Sequence, residues 1–190
     1  MKQLYVPTES QLKANSEQFF YEDPDLIIQD LLDDMETCPI SSSIDELEKW
    51  VNEQIITRKV DTLWMHCTGT GTNATVTGIT NYWRNNLGWK NPGYHVIFTL
   101  EGYTILQDLN LPTNGVAGHN ARGIHISYIG GLEDGKAKDT RNVYQQQMFH
   151  AFAQMLRKKL PNINIRGHKE VSAKACPCFE VNQEFSYLLK

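Results

Sequence analysis

The stretch YHVIFTLEGYTILQ, residues 94–107, holds two β-rich runs about a Glu101–Gly102 turn, the pattern of a hairpin. A hairpin is antiparallel, whereas strands joined through long helices cross over and pair in parallel. The rest of the chain supplies connections of the second kind. TLWMHCT (62–68) alternates as a strand does, VTGITNYWRNNLG (76–88) reads as a helix ending at Gly88, and GIHISYIGG (123–131) reads as a buried strand. TRNVYQQQMFHAFAQMLRKKL (140–160) places Tyr144, Met148, Phe152 and Met155 on one helical face and ends in a cationic turn. A short strand at INIRG and a closing helix at VNQEFSYLL complete the pattern. The expected fold class is therefore α/β: one domain with a central mixed β-sheet flanked by helices, preceded by a helical N-terminal extension.

That extension is acidic. Residues 1–57 carry −10 and residues 58–190 carry +6, within a net charge of −4. YEDPDLIIQDLLDDMETCP repeats Leu26, Ile27, Leu31 and Leu32 at helical spacing between Pro24 and Pro39. SSSIDELEKWVNEQI offers Ser43 as an N-cap with Glu46 three residues on, and an apolar stripe of Ile44, Leu47, Val51 and Ile55. Both helices are expected to bury their stripes on the domain at 58–190. Restraint of a basic substrate face, or docking of a protein partner, is the other use of such a segment. The lysines and arginines of the body are scattered rather than gathered in a stripe with aromatics, so no nucleic-acid partner is expected. The sequence has no apolar stretch of membrane-spanning length, and its start lacks the basic, apolar and small-residue regions of a signal peptide. A soluble protein made in the cytosol, with no membrane insertion, is expected.

RGHKEVSAKACPC, residues 166–178, gathers a histidine and two of the four cysteines. In a cytosolic chain of 190 residues such cysteines are thiols or metal ligands rather than a disulfide framework. A zinc hydrolase needs three protein ligands and one open position. His168 and Cys176, eight positions apart at a strand end and its following loop, are far enough separated for the chain to fold back on one ion. Spacing alone leaves them equally at home as a polar surface group and a small buried hydrophobe.

Four motifs in order, MHCTGT, PGYHVIF, GHNARGIHISYIGG and GHKEVSAKACPCF, resemble the zinc-dependent N-acetylmuramoyl-L-alanine amidases of the phage-lysozyme and peptidoglycan-recognition-protein superfamily, over roughly residues 60–185. The resemblance implies one zinc ion per chain held by His66, His168 and Cys176, with water as the fourth partner. It implies Tyr94 and Lys174 as catalytic residues, and peptidoglycan as substrate. AGHNARG resembles the loop lining the family's substrate groove, which makes His119 a candidate for substrate contact. The loop from His119 to Gly130–Gly131 is shorter than the family pattern and lacks its Gly-Tyr-Asn insertion.

Strand alternation sends Trp64 and His66 to one face and Met65 and Cys67 to the other, so Cys67 reads as core. Cys178, two residues past Cys176, is the rival thiolate; Pro177 and the family pattern favour Cys176. His95, His125 and His150 read as structural. The expected function is that of a phage or prophage endolysin made without a signal peptide and acting on the wall once the membrane is permeabilised. The alternatives are a cytosolic wall-recycling amidase and a recognition module that binds without cutting. Superfamily members of the last kind have lost the thiolate ligand, and Cys176 argues against it.

Overall fold

The computed structural model describes residues 39–188. The chain divides into two compact units, 1–42 and 43–190, and the fold described is that of the second. The helix expected over Leu26–Leu32 lies outside the described residues.

Helix α1 (Pro39–Glu53) opens the described chain. It starts four residues before the Ser43 cap expected from sequence: Pro is well suited to a first helical turn, where its missing N–H leaves no hydrogen bond unmade. Leu47 and Val51 of the predicted stripe are wholly buried, but Ile55 is 78% exposed. The helix has ended by then, and Gln54 instead accepts a hydrogen bond from the Leu109 N–H at 3.2 Å. The Lys159 ammonium donates to the Asn52 carbonyl at 3.1 Å, tying α1 to the body of the unit.

The body follows the expected plan. Strand β1 (Thr62–Cys67), helix α2 (Val76–Asn85), the hairpin β2 (Val96–Phe98) and β3 (Tyr103–Ile105), and strand β4 (Gly123–Tyr128) come first. A small hairpin, β5 (Leu132–Glu133) and β6 (Lys136–Ala137), precedes helix α3 (Val143–Lys159), strand β7 (Asn164–Gly167) and the short helix α4 (Val181–Glu184). The main sheet runs β3-β2-β4-β1-β7. Only the β2–β3 pairing is antiparallel, so the sheet is mixed for the reason the hairpin sequence demanded. The β5–β6 hairpin was not foreseen, although its turn is Asp134–Gly135 with φ of 50° and 74°, the favoured chemistry for a two-residue hairpin loop.

Register decides what each face carries. His66 lies opposite Ser127 and Trp64 opposite His125; Ile97 also lies opposite Ser127. These residues share one face, where Ile97 packs with Trp83 of α2. Phe98 and Tyr128 point to the other, meeting Phe149 of α3 at ring-centroid distances of 5.4 and 5.9 Å. Helix α3 is fixed at its start by reciprocal bonds between Asn142 and Gln145. Gln145 is itself buried, and its amide donates to the carbonyls of Phe98 and Ile129 at 3.1 and 3.2 Å. Arg141, beside it, forks to Asp139 and Glu184 and lies 3.4 Å over the Phe179 ring, locking α4 to the start of α3. Parallel pairing of β1 with both β4 and β7 then puts the C-terminal ends of three strands at one edge, where loops meet.

Candidate metal centre

His66 is the fifth residue of β1 and is 1% exposed. His168 is the first residue after β7, half-buried at the start of a short 3-10 turn. The Glu170 carboxylate shapes that turn, accepting from the Gly167 N–H at 2.6 Å and from Arg166 Nε at 2.9 Å. The chain then loops out and returns: the Lys169 N–H donates to the Cys176 carbonyl at 2.6 Å, and the Tyr128 hydroxyl donates to the Pro177 carbonyl at 2.9 Å. The loop closure that a spacing of eight residues allowed is thus held by specific bonds.

The outcome is a cluster of three donors. Ligand atoms of His66, His168 and Cys176 all lie within 4.8 Å of one another, with His66 Nδ1 3.6 Å from Cys176 Sγ. Two ligands on a tetrahedral ion with bonds of about 2.0 to 2.3 Å stand about 3.5 Å apart, so the arrangement is near the spacing an ion needs. Protonation states favour binding too. Burial, then the neighbouring His125, His168 and Lys174, hold the His66 imidazole well below its usual pKa. Burial and then Lys174 lower that of His168. Both rings are neutral donors near pH 7. The Cys176 thiol is shifted down by hydrogen bonding from the Cys67 thiol against the opposing effect of burial, helped by the Cys67 N–H at 3.3 Å and by the Lys174 charge. Two neutral imidazoles and an acidified thiol suit zinc.

Cys67 is 5% exposed, and its Sγ lies 3.7 Å from that of Cys178. Cys178 donates to the Gly131 carbonyl at 3.4 Å, and its pKa is pushed up to about 11, chiefly by burial. Gly131 is required here: a Cβ would come 2.5 Å from the Cys67 sulfur, and its φ is +98°.

The cluster opens onto a groove of about 470 Å³. Tyr94 forms part of the wall, with its ring centroid 4.9 Å from that of His66 and its hydroxyl donating weakly to the Cys67 carbonyl at 3.4 Å. Burial, followed by Cys176 and Cys67, raises its pKa, so the phenol stays protonated and able to donate. Lys174 is exposed and also lines the groove, as do Tyr82, Trp89 and Trp83, the last with its ring centroid 5.3 Å from that of Tyr94. His119 lies outside that lining; it is exposed, its ring 5.3 Å from that of Trp64. His150 is remote from the groove, stacked on Phe185 and bonded through Nδ1 to the Tyr187 hydroxyl at 2.8 Å.

His125 is the neighbour that sequence reasoning assigned only a structural place. Its Nδ1 is 3.1 Å from Nε2 of His66, on the side away from Cys176. Nothing in the one-dimensional pattern places β4 beside β1; once they pair, alternation puts His66 and His125 on one face.

No protein-family model matches the chain. Among curated proteins it is 30% identical over 125 residues to an endolysin of Enterobacteria phage K11, covering 63% of this chain and 82% of that protein. Among solved structures, the endolysin N-acetylmuramoyl-L-alanine amidase LysCS from Clostridium intestinale superposes with a TM-score of 0.59 at 21% identity, covering 70% of this chain and 85% of that one. PGRP-SA of the bumblebee superposes with a TM-score of 0.55 at 19% identity, covering 70% and 84%. The two structures share the α/β fold described above.

Proposed function

This chain belongs to the phage endolysin family, and from that premise we propose that it is a peptidoglycan hydrolase, an N-acetylmuramoyl-L-alanine amidase that cuts the amide between N-acetylmuramic acid and the L-alanine of the peptide stem. The observation that carries the reading is the imidazole–imidazole–thiol cluster of His66, His168 and Cys176 beside an open groove. A zinc ion held by these three residues would polarise the scissile carbonyl and bring the pKa of water down to about 7.

The chain's own residues supply the rest. His66 and His168 stay neutral and the Cys176 thiol is shifted toward thiolate, so the two imidazoles present lone pairs near neutral pH without first losing protons from imidazolium. As the amide carbon becomes tetrahedral, negative charge builds on its oxygen. The Tyr94 hydroxyl, protonated and weakly engaged with the Cys67 carbonyl, is available to donate to that oxygen. Lys174, exposed in the groove lining, adds a mobile ammonium. Preorganised donors of this kind are typically worth about 3 to 4 kcal/mol each. The groove walls of Tyr82, Trp83 and Trp89 offer apolar faces to the glycan or stem and exclude water from them.

The same premise makes the wall the site of action, reached from the host cytoplasm after permeabilisation of the membrane; among the described residues no helix is long and apolar enough to cross one. We also propose residues 1–57 as an extension in front of the amidase domain at 58–190. Digestion of purified cell walls tests the activity. New free L-alanyl amino termini, lost on chelation and restored by zinc, are expected. Release of reducing sugar ends instead would identify a glycosidase and contradict the proposal.

A further inference from the structure

We propose that His125 is a positioning residue for the metal centre: its Nδ1 accepts the Nε2–H of His66 and so commits Nδ1 of His66 to the ion. The inference rests on the reading of His66 as a ligand, and deepens it.

A neutral imidazole carries one N–H, so its two nitrogens cannot both donate or both accept. In His66 the two nitrogens face different partners. Nδ1 looks toward Cys176 Sγ at 3.6 Å, and Nε2 toward His125 Nδ1 at 3.1 Å. A metal ligand must offer a lone pair, so ligation through Nδ1 places the hydrogen on Nε2. That N–H is buried and needs an acceptor, and His125 Nδ1 stands where the acceptor must be. In the opposite tautomer His125 Nδ1 donates, and the His66 hydrogen moves to Nδ1, where it blocks the ion. Among the described residues Nε2 of His125 is buried without a hydrogen-bond partner in either case, so the choice is settled at His66.

The place of the His125 ring is built into the fold. A Cβ on Gly115 would come 2.3 Å from its Nδ1, and a Cβ on Gly123 would come 2.5 Å from its Nε2. The two positions are glycine because the imidazole fills the space a side chain would need. On its flank the ring stacks parallel to His95, at 6.0 Å and 3°. The two residues are also hydrogen-bonded: the His95 backbone N–H donates to the His125 carbonyl at 2.8 Å, and the His125 backbone N–H donates to the His95 ring at Nδ1, 3.0 Å away. His95 Nδ1 therefore accepts, and its Nε2–H donates to the Leu111 carbonyl at 2.9 Å. The close approach of Gly115 and Gly123 and the stacked His95 ring limit rotation of the ring that receives the His66 hydrogen, and the bonds to His95 hold that neighbour in place. Outer partners of a ligating histidine fix its tautomer and orientation, and losing one typically weakens metal binding about 10- to 100-fold.

Three variants of the full chain test this. His125→Asn keeps an acceptor oxygen one bond from Cγ, where Nδ1 was. His125→Gln moves its polar atoms one bond outward, toward the Nε2 position, and His125→Leu removes them. Zinc affinity is measured by competition with a chromophoric chelator, and the site geometry by visible absorption of the cobalt-substituted protein. Near-ultraviolet circular dichroism of the metal-free proteins reports the fold. We expect the Asn variant to bind within about threefold of wild type with an unchanged cobalt spectrum, and the Gln and Leu variants to lose about 10- to 100-fold with an altered one. If Leu does not fold, the Asn–Gln pair decides. Wild-type affinity in all variants, or equal loss in Asn and Gln, overturns the proposal. A wild-type protein that binds no zinc would overturn the ligand assignment beneath it, a result distinct from either.

Discussion

The backbone N–H of Cys67 donates to the sulfur of Cys176 across 3.3 Å, a contact between residues 109 positions apart. It ties the end of β1 to the returning C-terminal loop one residue after His66, and it aims a donor at sulfur, which favours thiolate. Cys178 is turned instead toward Cys67 and Gly131, away from the ligand cluster. The two cysteines should therefore respond differently to substitution. Cys176→Ser should lose zinc binding by more than the 10- to 100-fold typical of an outer partner, whereas Cys178→Ser should keep one ion at near wild-type affinity. Chelator competition on both variants separates them, and loss of zinc in Cys178→Ser would reassign the thiolate.

Tyr94 touches the site without belonging to the ligand cluster. Tyr94→Phe should fold and retain zinc while turnover on cell walls falls by about a hundredfold or more, as loss of one oxyanion donor typically does. Lys174→Ala should also keep its metal, and its defect should lie in turnover. Unchanged turnover in either variant, with metal retained, would remove that residue from the chemistry.

Acid should destabilise the metal-free protein through its buried histidines. Burial brings His95 to about 4 from an unfolded value near 6.5, and lowers His66, His125 and His168 as well. A depressed folded pKa means the unfolded chain binds protons first, so stability is full above about pH 6.5 and falls as the pH drops toward the folded values. The slope is at most about 1.4 kcal/mol per pH unit for each histidine. Urea midpoints of the metal-free protein between pH 7.5 and 5 should decline. A flat profile would mean that these imidazoles are already as basic in the fold as in the open chain.

Helix α1 should contribute to the stability of the domain. Leu47 and Val51 are fully buried, and Leu47→Ala should cost about 2 to 5 kcal/mol. Removing residues 1–57 deletes both side chains and the Lys159–Asn52 bond, so the truncated protein should melt lower or fall out of solution. An unchanged melting temperature would make this helix an appendage.

Much of this was legible in the chain itself. The Glu101–Gly102 hairpin and the helical connections required a mixed sheet, and the motifs around His66, Tyr94, His168 and Cys176 marked four residues that the fold gathers at one strand edge. Strand alternation separated Cys67 from His66. What escaped depends on neighbours that periodicity does not encode. His125 gains its role from pairing of β1 with β4, strands more than fifty residues apart. Ile55 continues an apolar helical period past the point where the helix stops, so its predicted burial failed. His119 carries a groove-like motif, yet packs against Trp64 outside the cavity lining. The Asp134–Gly135 hairpin was readable from its turn residues and was hidden by the shortness of its strands.

Zinc-edge X-ray absorption on the purified full chain tests the central claim most directly, combined with elemental analysis of the same sample. The account predicts about one zinc per chain, with two nitrogen neighbours near 2.0 Å and one sulfur near 2.3 Å, and loss of the sulfur shell in Cys176→Ser but not in Cys178→Ser. A wild-type protein without stoichiometric zinc, or with a first shell lacking sulfur, would contradict it.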